Sequence, residues 1–195
     1  VQSMQLQDGI GAEIISCDVN GDGLTDLLLA ATIADGVNFS RGAAGEIWLV
    51  LGARKRWSGT RSIQDVAAVR IIGQQEFHSF GASVACADLN SDGFADIAGG
   101  TTQADSLNNT RDQAGQVHIV FGATSLPAVI DLAQPQGTTV YGAEDFDGLG
   151  DELVTGDING DGRPDLLLDA SHATYKPTNQ TQAGKVHVLF GKTSW

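Results

Sequence analysis

One acidic stretch occurs three times in this chain. "DVNGDGLTD" begins at Asp18, "DLNSDGFAD" at Asp88 and "DINGDGRPD" at Asp157, a step of 70 and then 69 residues. A second motif keeps that step: "GEIWLVLG" at Gly45, "GQVHIVFG" at Gly115 and "GKVHVLFG" at Gly184. A glycine also precedes each acidic cluster by seven residues, at Gly11, Gly81 and Gly150. From the last aspartate of each cluster to the glycine of the second motif is 19 residues in all three copies. Three landmarks in fixed register define an internal repeat, and a repeat chain must stack like units on one another to bury a core.

Each repeat reads as four short strands. The first comes after the early glycine, as in "GASVACA" from Gly81, and leads into the acidic loop. Apolar runs such as Leu27–Ala31 and Leu166–Leu168 then read as buried second strands. A polar loop of about a dozen residues comes next, rich in Asn, Thr, Gln and Gly. Third strands are expected at Glu46–Leu51, Gln116–Phe121 and Lys185–Phe190, and fourth strands at Val66–Ile72 and around Thr138–Tyr141. Strands apolar on both faces are buried on both faces. Radially stacked four-stranded antiparallel sheets achieve this, so the fold class is all-β and the architecture a β-propeller. The repeat boundaries are 1–72, 73–142 and 143–195, the last lacking its fourth strand, all within one propeller segment.

In the pattern D-x-N-x-D-G-x-x-D, side-chain oxygens occupy positions 1, 3, 5 and 9. Calcium takes six to eight oxygens, and a tight loop brings alternate side chains to one point. Glycine at position 6 permits the reversal, and the carbonyl at position 7 can supply another oxygen. Three calcium ions are therefore expected. The first is held by Asp18, Asn20, Asp22, Leu24 (carbonyl) and Asp26, and the second by Asp88, Asn90, Asp92, Phe94 (carbonyl) and Asp96. The third is held by Asp157, Asn159, Asp161, Arg163 (carbonyl) and Asp165. An EF-hand shares the first six positions but needs a bidentate Glu at position 12 and a helix after the loop. Position 12 here is Leu29, Gly99 or Leu168, and the residues after each loop are strand-like.

Composition agrees with short strands and tight turns: 25 glycines, 42% hydrophobic residues and 6% aromatics. A net charge of −13 disfavours nucleic acid and anionic membrane as partners. The short basic run Arg54-Lys55-Arg56 reads as a solvated loop. Cys17 and Cys86 fall in equivalent parts of two repeats; such positions are usually too far apart to bridge, so both read as small buried residues. No apolar run approaches the ~18 residues that span a bilayer. The chain begins at Val1, so any targeting segment is expected to lie outside it.

Taken together, the motifs resemble the FG-GAP repeat of the integrin α-subunit propeller family. The second copy is the most similar, with "FGASVACADLNSDGFADIAGG" and then "GQVHIVFG". Two departures stand out. Phe-Gly becomes Ile10-Gly11 and Leu149-Gly150 in the outer copies, and Gly-Ala-Pro is replaced by "LAAT", "AGGT" and "LDAS". The resemblance implies closed rings of about seven blades. Three blades do not close such a ring, and Val1–Gln5 aligns with the end of a fourth strand. A piece of a larger propeller is expected, the alternative being a three-blade unit that self-associates into a six-blade ring.

No nucleophile elbow, zinc-protease motif, C-x-x-C or P-loop is present, so no enzyme is expected in this chain. His118 and His187 share a third-strand slot with Trp48 and read as packing residues, while His78 and His172 are single loop histidines. Glu13 and Glu152 share a repeat position and read as calcium-flanking or surface residues. Sequons occur at Asn38, Asn108 and Asn179. The family resemblance implies an extracellular or cell-surface module for adhesion or protein recognition. The alternatives are an accessory, glycan-binding propeller of a secreted hydrolase and a purely structural scaffold. Any protein or glycan ligand is expected on the face opposite the calcium loops. That face carries Thr32–Ala44, Thr102–Ala114 and Ser171–Ala183, with Gly73–Ser79 and Gly142–Gly148 beside them. These loops differ between copies while the acidic loops are near-identical.

Overall fold

The computed structural model describes residues 8–55, 58–106, 110–134, 136–174 and 181–193. Val1–Gln5, Arg56, Asn108 and Asn179 lie outside them. The first blade contains β1 (Ile10–Cys17), β2 (Asp26–Ala31), β3 (Glu46–Val50) and β4 (Val69–Ile72) as an antiparallel meander. The second contains β5 (Val84–Ala87), β6 (Asp96–Thr101), β7 (Gln116–Val120) and, after β8 (Val129–Asp131), its fourth strand β9 (Thr138–Tyr141). The third contains β10 (Leu153–Gly156), β11 (Asp165–Ala170) and β12 (Lys185–Leu189). The chain is all-β and forms part of a β-propeller.

Strand alternation explains how the blades stack. On the central blade Val84, Ile97 and Val120 face the first blade, where they meet Leu28, Ile47, Leu49 and Ile71. Their neighbours Ala85, Ala98 and Ile119 face the third blade and meet Leu149, Leu153, Leu166 and Leu168. Period-two side-chain direction thus splits one sheet between two cores. Phe80 and Leu149, the residues before the early glycines, are both buried, so the apolar site survives the loss of Phe-Gly in the third copy.

Three expectations are corrected. The first blade has five strands, because β8 leaves the second repeat to pair in parallel with β4, Arg70 opposite Val129 and Ile72 opposite Asp131. Ile130 and Leu132 bury themselves in that position, and Arg41 pairs with Asp131 at 2.8 Å. The fourth strand of the first repeat starts at Val69 rather than Val66, since Ile63–Val66 forms a single helical turn, α1. Cys17 and Cys86 are joined by a disulfide, with Cα atoms 6.4 Å apart. The two cysteines are not equivalent. Cys17 pairs with Asp26, whereas in the second repeat Ala87 pairs with Asp96 and Cys86 pairs with Ile97. A shift of one residue turns a side chain to the other sheet face. Cys17 therefore faces forward, Cys86 faces back, and they meet in the first inter-blade core.

Candidate metal loops and the opposite face

All three acidic loops close in the same way. In the first, Asp18 accepts hydrogen bonds from the amides of Asp22 (3.1 Å) and Gly23 (2.8 Å). Asn20 Oδ1 accepts from the amide of Asp22 at 3.1 Å, and Asp22 Oδ1 from that of Leu24 at 2.8 Å. The second loop repeats this set around Asp88, Asn90, Asp92 and Phe94, and the third around Asp157, Asn159, Asp161 and Arg163. Side chains at positions 1, 3 and 5 thus converge on one short stretch of backbone. Glycine at position 6 has φ of 78°, 91° and 86° in the three copies, the left-handed conformation expected of it.

Position 9 is placed differently. Asp26, Asp96 and Asp165 are fully buried. One carboxylate oxygen accepts from the amide of Val19, Leu89 or Ile158, at 2.9, 3.0 and 2.9 Å. The other accepts from the amide of Gly52, Gly122 or Gly191, at 2.8, 3.0 and 2.9 Å. This aspartate ties the base of the β1–β2 hairpin, or its counterpart, to the end of the third strand. Each receiving glycine is required by close approach: an added Cβ would lie 2.6, 2.5 or 2.4 Å from the carbonyl oxygen of Thr25, Ala95 or Pro164. This structural role went unread in the sequence, though a signal existed, since the aspartate and its glycine are 26 residues apart in all three copies. Burial pushes the Asp96 carboxyl up to about 6, against the pull of its two amide partners and with repulsion from Asp92 and Asp88 adding to the rise.

The donor set is all oxygen, which suits a hard cation such as calcium. Two carboxylates and an amide oxygen per loop stand together at the surface, while the third carboxylate is committed to backbone amides. Among the described residues no three His, Cys, Asp or Glu side chains gather into a metal cluster. Leu24, Phe94 and Arg163 lie at the loop exits, where their amides donate to Asp22, Asp92 and Asp161.

Neighbouring loops also touch. The amide of Ala95 donates to the Asp18 carbonyl at 3.0 Å, and the Phe94 ring lies over Gly21, 2.8 Å from where a Cβ would stand. Of the pair Glu13 and Glu152, Glu152 is exposed, as the surface reading has it, and Glu13 is half-buried. Glu13 sits on β1, where burial raises its carboxyl, the Val84 amide lowers it and the nearby Glu152 raises it. His118 packs edge-on against Phe80, ring centroids 5.8 Å apart, and its Nδ1 is 3.0 Å from Thr139 Oγ1. Burial, with His78 adding to it, lowers His118 to about 4.

At the opposite end, the loop between the second and third strands docks on the connection to the next blade. Phe77 N donates to Gly42 O at 2.8 Å and Phe80 N to Ala44 O at 2.8 Å. Phe146 N donates to Asp112 O at 2.8 Å and Leu149 N to Ala114 O at 3.0 Å. The two sets of loops therefore share one end, as expected. Phe39, Phe77 and Phe146 are exposed there, as is Asn38 in a 3-10 turn at Val37–Phe39.

Stacked antiparallel blades, each with one acidic loop between its first two strands, define a class of β-propeller. The family model described as FG-GAP repeat matches residues 11–50, 80–120 and 149–189, more than half of the chain, and the chain belongs to that family. It is 26% identical over 199 residues to phosphatidylinositol-glycan-specific phospholipase D of Dictyostelium discoideum, a match covering 97% of this chain and 20% of that protein. It is 29% identical over 188 residues to the Bos taurus protein of the same name, covering 95% of this chain and 21% of that one. It is 31% identical over 168 residues to integrin alpha-7 of Mus musculus, covering 84% of this chain and 12% of that protein. The chain thus spans about a fifth or less of the length of these relatives. Among the described residues no helix is long and apolar enough to cross a membrane.

Proposed function

We propose that this chain is a calcium-stabilised, non-catalytic recognition module of an extracellular protein. The observation that carries the reading is the contrast between its two ends. Three acidic loops share one hydrogen-bond pattern at one end, while the loops at the other end keep a common backbone and vary in side chain. Constant loops suit a shared ion, and variable loops on a rigid frame suit recognition. A disulfide between Cys17 and Cys86 suits an oxidising compartment. Asp18, Asn20 and Asp22, with their counterparts in the other two loops, would hold the ions. Bound calcium would neutralise carboxylates that otherwise repel one another.

A second reading is an accessory propeller beside a hydrolase domain. It is favoured by the length of the matches to the phospholipase D relatives, 95–97% of this chain against 84% for integrin alpha-7.

The test immobilises the chain with calcium or with chelator and probes it with panels of extracellular-matrix proteins and glycans. Calcium-dependent binding lost in Phe39→Ser/Phe77→Ser supports recognition at the variable end. Binding that survives this variant and is lost on Ser91→Lys in an acidic loop overturns it.

A further inference from the structure

We propose that the cleft between the second and third blades binds a short, neutral saccharide; this rests on reading the chain as a recognition module and gives that reading a site and a ligand class. The cleft encloses about 570 Å³, within the usual range of small-ligand sites. Its walls come from three variable segments. Gln103 and Gln113 come from the loop after β6, Asp145 and Phe146 from the connection between blades, and His172 and Gln182 from the loop after β11.

The lining chemistry selects the ligand. Three primary amides each offer donors and an acceptor, which match the paired hydroxyls of a sugar. Asp145 uses Oδ1 to accept the Asp112 amide at 3.1 Å, which fixes its carboxylate at the rim as a further acceptor. Phe146 is 56% exposed, and its negative π face suits the C–H face of a sugar ring. Among the described residues no lysine or arginine lines the cleft, and the Asp145 carboxylate brings a negative charge to its rim that disfavours a phosphate, sulfate or carboxylated ligand.

Comparison with the junction between the first and second blades shows what is specific here. There the aromatic and the carboxylate are kept as Phe77 and Glu76, but Ala43 stands where this cleft has Gln113, and Ser79 where it has Gly148. Ala43 and Gln113 share a left-handed backbone, φ 48° and 46°, so the frame is common and the amide is added. Gly148 lets His172 approach: a Cβ there would lie 2.9 Å from His172 Nδ1.

The experiment is saturation-transfer NMR and calorimetry on the purified chain with neutral mono- and oligosaccharides, alongside sialylated and sulfated ones. Gln113→Ala copies the residue tolerated at the same backbone position in the first repeat, so it is expected to fold, and Phe146→Ala removes the stacking ring. The expected result is binding of a neutral saccharide weakened about tenfold or more by either variant, with unchanged melting temperature. Saccharide binding that is indifferent to both variants overturns the cleft while leaving the module reading intact. Preference for anionic sugars, or no binding of any saccharide at about 10 mM, well above the millimolar affinities of weak sites, overturns the saccharide inference. The module reading is judged separately, by the calcium-dependent partner screen.

Discussion

The ninth residue of each acidic loop holds two backbone amides that come together only in the folded blade. Removing Asp96 takes away the buried acceptor of the Gly122 amide and one of the two acceptors of the Leu89 amide, whose other is the Ala87 carbonyl at 2.9 Å. Asp96→Ala is therefore expected to cost about 3 kcal/mol even in chelator, measured by urea unfolding. A variant as stable as the parent in chelator would mean that these hydrogen bonds carry no weight. His118 gives a pH-dependent effect. Its folded value of about 4 lies below the ordinary 6.5, so between the two the unfolded chain holds the extra proton. The His118 contribution is fully present above about pH 6.5, falls as pH drops toward 4 and levels off below, by about 3 kcal/mol in total. Asp96, raised to about 6, contributes in the opposite sense over that window, so the effect is read as the difference between the parent and a His118 variant. His118→Gln is expected to flatten that limb when unfolding is monitored at pH 7, 5.5 and 4.5.

Adjacent acidic loops are coupled where sequence allows it. Phe94 covers Gly21 and Ala95 donates to Asp18 O, but the third loop has Arg163 and Pro164 at these positions, and proline has no N–H to give. Phe94→Ala should cost about 1–2 kcal/mol of unfolding free energy through lost burial, while Arg163→Ala should be near neutral. Equal effects in chemical denaturation would show that the loops do not interlock. The repeat made most elements legible: the third strands, the acidic loops and β9 all lie where periodicity and fixed spacing put them. What escaped was non-local. β8 is three residues, Val129–Asp131, whose partner strand is in another blade, and no local pattern announces a parallel pairing over that distance. The Cys17–Cys86 bridge depended on a one-residue offset that reverses facing, which a repeat alignment smooths away. The buried role of Asp26, Asp96 and Asp165 was hidden because the same residue completes the calcium pattern.

In the whole molecule, the disulfide staples two blades across 69 residues of chain. Its reduction is expected to lower stability by about 2–4 kcal/mol, mainly by freeing the unfolded chain. Cys17→Ser/Cys86→Ser should show the same loss in thermal unfolding and no further response to reductant. The outer faces of the first and third blades remain apolar, with Ile14 exposed on one and Val154, Val186 and Phe190 on the other. Large exposed apolar surface of this kind marks contact sites, so these faces suit neighbouring blades. Calorimetric titration of the folded chain with calcium, paired with melting curves, tests the central reading most directly. Three ions binding with Kd of about 10⁻⁴–10⁻³ M are expected, with a melting temperature that climbs with calcium and falls on chelation. No heat of binding and an unchanged melting temperature at several times the weakest of those affinities would make the three loops plain turns and remove calcium from the protein's function.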